Sequence, residues 1–153
     1  MLRETEPEVI KGILDCLVVL HDPEIVPFIL KVLDGPSATI RAVALRVLRN
    51  FDDPSVIDTV KKYIVDADPA VRAQAIAVNW RFPWEREAYL RQALDSMIGS
   101  PPDSEDFRWG IYLIGACRLA EYRAVLDKTV DQGRDGVRLE AAISLLKSGG
   151  TRG

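Results

Sequence analysis

The sequence is poor in the residues that carry most side-chain chemistry. Of its 153 residues, two are cysteine and one is histidine. Neither cysteine has a CxxC neighbour, and Cys16 and Cys117 both lie in apolar helical patterns. They therefore read as small core residues of a reducing cytoplasm, not as a disulfide framework or a redox pair. His21 has no histidine, cysteine or carboxylate companion at metal-ligand spacing, which argues against a zinc site. No GxGxxG, GxxxxGKS, GxxxxGKT, GxSxG or HExxH segment occurs, so the phosphate-cradling loops, nucleophile elbows and metalloprotease helices that those spacings build are not indicated. The longest apolar run, Cys16-Leu17-Val18-Val19-Leu20, is far short of the roughly 20 residues that cross a bilayer. Charge of one sign is also scarce: 20 Lys+Arg stand against 23 Asp+Glu. Without a basic excess there is no general footprint for nucleic acid. The expectation is a soluble, cytoplasmic, non-enzymatic chain with no cofactor, no metal and no membrane partner.

What the sequence does have is a repeat. Asp22-Pro23-Glu24-Ile25-Val26 returns as Asp53-Pro54-Ser55-Val56-Ile57, and Ile40-Arg41-Ala42-Val43-Ala44-Leu45 as Val71-Arg72-Ala73-Gln74-Ala75-Ile76. Val137-Arg138-Leu139-Glu140-Ala141-Ala142 is a further copy, and Phe107-Arg108-Trp109-Gly110-Ile111-Tyr112 a diverged one. Anchors at Val9, Ile40, Val71, Phe107 and Val137 give steps of 31, 31, 36 and 30 residues. Self-similarity at this period signals stacked supersecondary units. Ile40, Val43, Ala44, Val47, Leu48 and Phe51 share one helical face. Proline behind aspartate at 23, 54 and 69 marks helix starts, because proline suits the first turn and the aspartate can accept its exposed N–H groups. The spacing predicts helices over 7–20, 23–33, 38–51, 54–65, 69–81, 84–97, 105–119, 121–131 and 135–148, and no strand.

The unit Asp-Pro-x-Val-Arg-x-x-Ala, followed by a helix closed by leucine or phenylalanine, resembles HEAT repeats. Its short period is similar to that of the HEAT-like class known from phycobilisome lyases. The resemblance implies an all-α, right-handed α-solenoid (α-α superhelix) of about four and a half helix pairs. It would form one domain over 1–153: a half repeat at 7–20, repeats at 22–51, 53–82, 84–119 and 121–148, and a flexible tail at 149–153. It also implies a hydrogen-bonded ladder between repeats, built from an inter-helix aspartate and a second-helix arginine. Asp66 and Arg72 match that pair. Arg41, Arg108 and Arg138 match the arginine, while Gly35, Pro102 and Gln132 stand at the aspartate positions and Asp34 and Asp131 one residue earlier. For function the resemblance implies a scaffold that binds a protein or peptide through its inner face; the alternatives are a bilin lyase-like enzyme subunit and a nucleic-acid-binding HEAT-like protein.

A helical wheel at 100° per residue locates the expected inner face. Opposite Ile40, Val47 and Phe51 lie Arg46 and Arg49; the same line runs through Ala77 and Trp80, through Trp109 and Leu113, and through Leu139, Ile143 and Leu146. It begins charged and becomes apolar, the pattern of a contact surface. Trp80 and Trp109 are expected as anchors, Leu113, Ile143 and Leu146 as apolar contacts, and Arg46, Arg49 and Arg81 as a rim selecting an acidic partner. The last unit is followed only by Ser148-Gly149-Gly150-Thr151-Arg152-Gly153. Its apolar residues are therefore expected to bury against a second copy or a flanking domain.

Overall fold

The structure, a computed structural model, describes residues 7–82 and 88–149. Among these, nine α-helices follow one another without a strand: α1 (Pro7–Leu20), α2 (Val26–Val32), α3 (Ala38–Leu48), α4 (Ile57–Lys61), α5 (Pro69–Trp80), α6 (Ala88–Ile98), α7 (Glu105–Ala116), α8 (Arg123–Gln132) and α9 (Asp135–Gly149). The expected start of the sixth helix at 84, and the tail beyond 149, lie outside the described residues.

The aspartate–proline starts work as their chemistry requires. The Asp22 carboxylate accepts the Glu24 N–H, Asp53 accepts that of Ser55, and Asp68 accepts those of both Ala70 and Val71. Ahead of α2 and α4 the capped segment is one tight 3-10 turn, Pro23–Ile25 and Pro54–Val56, before the α-helix proper begins. A similar turn, Ala120–Tyr122, leads into α8.

The chain packs as two compact units, Met1–Phe82 and Pro83–Gly153. In the first, α2 lies on α3 and α4 on α5, while the second helices α1, α3 and α5 stack in series. In the second, α6 lies on α7, α8 on α9, and α7 on α9. Leu14, Ile29, Leu45 and Leu48 are fully buried in the first unit, as are Leu90, Ile111, Ile114 and Leu126 in the second. Each such side chain is worth about 2 kcal/mol relative to exposure.

Long-range polar contacts carry the repeat period into three dimensions. Tyr63 Oη donates to the Leu33 carbonyl at 2.9 Å, Arg91 pairs with Glu121 at 3.0 Å, Tyr122 Oη donates to Asp95 at 2.7 Å, and Ser144 Oγ donates to the Ile111 carbonyl at 3.0 Å. These partners are 27 to 33 residues apart, about one repeat, so within each unit neighbouring repeats are tied to one another.

Helix α7 ends on a Schellman turn. The Leu119 N–H donates to Ile114 O at 2.9 Å and the Arg118 N–H to Gly115 O at 3.2 Å. This geometry places Arg118 at φ 54°, in the left-handed region where a side chain is strained; His21, after α1, has φ 48°. Arg118→Gly is therefore expected to stabilise the protein by about 1 kcal/mol, read as a raised urea midpoint at unchanged slope. A lowered midpoint would show that the Arg118 side chain matters more than its backbone strain.

Candidate protein-interaction surface

The inter-repeat ladder forms in the first unit, with a division of labour that the motif alone does not disclose. Arg41 grips the Asp66 carboxylate with two donors, Nε at 3.1 Å and Nη2 at 3.2 Å, across 25 residues. Its Nη1 donates to the Gly35 and Pro36 carbonyls. One repeat later, Arg72 Nη1 donates to the Asp66 and Ala67 carbonyls. Each arginine thus ties down the turn before its own helix, and Arg41 also reaches the following repeat. The Asp66 carboxyl is buried, which by itself would raise its pKa. The Asp68 N–H and the Arg41 and Arg72 guanidiniums outweigh burial and hold it below the ordinary aspartate value.

Elsewhere the ladder departs from expectation. Asp34 does not meet Arg41; it is exposed and bonds Lys62 and Tyr63. Arg138 Nε donates to the Val130 carbonyl at 2.8 Å, because glutamine, not aspartate, stands at 132, and its Nη1 lies 3.8 Å from Asp135. Arg108 is exposed and makes no such bond.

The expected arginine rim is engaged within the chain. Arg46 pairs with Asp15 at 2.7 Å, Arg81 pairs with Asp52, and Arg49 donates to Gln74 Oε1 at 3.3 Å. Each of the three arginines therefore has a partner within the chain, and the Arg46 side chain stays about half exposed beside its own.

Two of the expected apolar contacts are corrected outright. Trp80 is 4% exposed and Leu113 is 0% exposed, so neither can meet a partner. The reason is visible in the helices that carry them. From Ala73 to Trp80 every residue of α5 is buried, and α7 is buried from Gly110 to Gly115 except at Tyr112. A stretch of helix without charged residues can be buried on every side, so over these residues the side opposite the core is also packed. The signal was present: residues 73–80 and 109–117 contain no charged residue. Cys16 departs in the opposite sense, being exposed on α1, while Cys117 is half-buried.

The surface that remains lies in the second unit. On α9, Leu139 is 64% exposed, Ile143 36% and Leu146 78%. The opposite side of the same helix holds Val137, Ala141 and Ser144 in the interior. Trp109 of α7 is half-buried and meets Tyr112 edge-on, centroids 5.2 Å apart, while Lys147 of α9 reaches over the Tyr112 ring at 5.7 Å. Since α7 packs on α9, the three aliphatic side chains, the half-buried tryptophan and one cation belong to a single helix pair.

A second exposed apolar row, Val9, Ile13, Cys16 and Leu20, runs along α1, without charged residues at its flanking positions 10, 12, 17 and 19. The second unit also holds a surface groove of about 490 Å³ below the 99–104 loop, lined by Ile98, Phe107, Val125, Lys128 and Val137. That loop is fastened rather than loose: Ser104 Oγ accepts the Phe107 N–H and donates to the Pro101 carbonyl, and Asp103 pairs with Arg134 at 3.2 Å.

Among the described residues no three histidine, cysteine or carboxylate side chains converge on a common point, and no helix is long and apolar enough to cross a membrane. No curated protein matches the chain. The family comparison agrees with the helix pairs, their stacking and the one-repeat contacts: residues 1–78 match the model for HEAT repeats, and the chain belongs to that family of α-solenoid proteins.

Proposed function

We propose that this chain is a non-catalytic protein-interaction module whose partner-binding surface is the exposed α9 face of the second unit, flanked by Trp109. HEAT repeats generally mediate protein–protein interaction. The observation that carries the reading is the row Leu139, Ile143 and Leu146, three large aliphatic side chains left to solvent on a helix whose other side is fully packed. The 31-residue step between the anchors at 9, 40 and 71 further supports assignment to the short HEAT-like class, and a cytoplasmic setting suits the two cysteines. The reading places no acid–base pair, nucleophile or metal in the mechanism; burial of the apolar row is the main source of binding.

A photo-crosslinking amino acid at Leu146 should give a protein adduct in the host cell that the same group at exposed Asp58 does not. Leu139→Asp should reduce that adduct at least tenfold. Desolvating an unpaired carboxylate costs more than the roughly 1.4 kcal/mol that a tenfold change represents. Equal adducts from both positions, or none from either, would remove the α9 face from consideration.

A further inference from the structure

The α9 row has a heptad arrangement. Leu139, Ile143 and Leu146 are spaced i, i+4, i+7, which at 100° per residue confines them to an arc of about 60°. They form a short d-a-d seam on the side of α9 away from Val137, Ala141 and Ser144. Glu140 and Lys147 lie seven residues apart along one edge of that seam; Asp135 and Ala142 lie along the other. This charge pattern distinguishes between the ways in which two such helices can meet. In an antiparallel pair, like edges face each other. With the pair centred near Ile143, Leu139 of one copy meets Leu146 of the other, and Glu140 lies beside Lys147 of the second copy, twice by symmetry. In a parallel pair, opposite edges meet, which places Asp135 against Glu140 of the second copy, an unfavourable contact of like charges.

Resting on the interaction-module reading, we propose that the occupant of the α9 face is a second copy of this chain, docked through a twofold antiparallel α9–α9 contact with a Leu139/Ile143/Leu146 seam and reciprocal Glu140–Lys147 pairs. The seam is self-complementary in shape and in charge, as an isologous interface must be. The Tyr112 ring beneath Lys147 holds that ammonium on the edge where the contact requires it. The row is short beside the roughly 800 Å² per partner of a standard interface, so the dimer is weak and reversible, and depends on concentration. The α1 row has no charges flanking it in this way, and nothing comparable identifies its occupant.

Sedimentation of the purified full chain between about 1 μM and 1 mM tests the proposal over the range where a short interface saturates. The expected result is a monomer–dimer equilibrium. Glu140→Lys, which sets lysine against Lys147 of the second copy, and Lys147→Glu should each weaken it at least tenfold, while the double reversal E140K/K147E returns it to within about twofold of the parent. Lys147 is exposed and Glu140 half-buried, and circular dichroism verifies that each variant is folded. A chain monomeric at every concentration overturns the dimer, as does a double reversal no better than the single changes. If the Leu146 crosslink nevertheless persists with an adduct mass other than twice that of the chain, the interaction surface stands and its occupant is a different protein. If crosslink and dimer are both absent, both readings fail.

Discussion

Gly115→Leu should break the second unit. A Cβ built on Gly115 would lie 2.5 Å from Ser144 Oγ, 2.7 Å from Ser144 Cβ and 2.8 Å from Ser144 Cα. The last of these is backbone, so no rotamer change of Ser144 makes room; α9 itself must move away from α7. That movement would also break the bond from Ser144 Oγ to the Ile111 carbonyl, 33 residues away. Alanine alone should cost about 3 kcal/mol, at the upper end of overpacking penalties, and leucine more than that. In hydrogen exchange on the full chain, the amides of α7 and α9 should lose protection with Gly115→Leu while those of α3 keep theirs. Gly12 of α1 provides the contrast, since an added Cβ there meets nothing within 4 Å. Gly12→Ala should be neutral or stabilise by up to about 1 kcal/mol through helix propensity. Preserved α9 protection in Gly115→Leu would contradict the close helix contact.

Asp66→Ala should cost about 2–3 kcal/mol. The side chains of Arg41 and Asp66 are 16% and 11% exposed, so removing the carboxylate leaves a largely desolvated guanidinium that keeps only its carbonyl partners at Gly35 and Pro36. It also strips the Asp68 N–H of its acceptor. Asp66→Asn, which retains an acceptor for that N–H, should cost less. The effect depends on pH in a defined direction. The folded pKa of Asp66 lies below its unfolded value, so the stabilisation is complete above the unfolded value of about 3.9 and disappears as pH falls through the folded one. The gap in urea midpoint between wild type and Asp66→Ala should be widest near neutrality and narrow steadily below about pH 4. A gap that stays constant into acid would mean that the carboxylate's charge is not what stabilises the turn.

The repeat and its helix starts were legible because both are written in one dimension, whereas the helices expected over 38–51 and 105–119 end earlier, at Leu48 and Ala116. A constant step between like residues, and aspartate–proline at helix starts, need no knowledge of neighbours; Asp22, Asp53 and Asp68 cap where the sequence places them. The candidate site was legible only in part. A wheel gives each helix one buried and one exposed side, which holds for α9 and fails for α5, where Ala73, Ala77 and Trp80 are all buried. Whether a small, uncharged face is exposed or interior depends on what packs there, and periodicity within one helix does not record it. The partners of the rim arginines were hidden for a related reason: Asp15 and Asp52 are 31 and 29 residues from the arginines that they pair with, a coincidence of repeats that no single-helix pattern contains. The left-handed turns at His21 and Arg118 carry no signal in the sequence, because such turns are usually announced by glycine.

The short reach of the tertiary hydrogen bonds bears on how the chain can be made. Ser144 and Ile111, 33 residues apart, are among the most widely separated of these partners, and Arg41 and Asp66, 25 apart, among the least. During synthesis, then, a helix pair need not wait for the far end of the polypeptide. Within each unit the next repeat to leave the ribosome already carries its partners, so the second-helix face of one repeat serves as the docking edge for the next. Contacts this local favour rapid closure, and at translation rates of about 5–20 residues per second an unpaired edge is waiting for only a few seconds. A growing chain of this kind exposes roughly one unfinished face at a time.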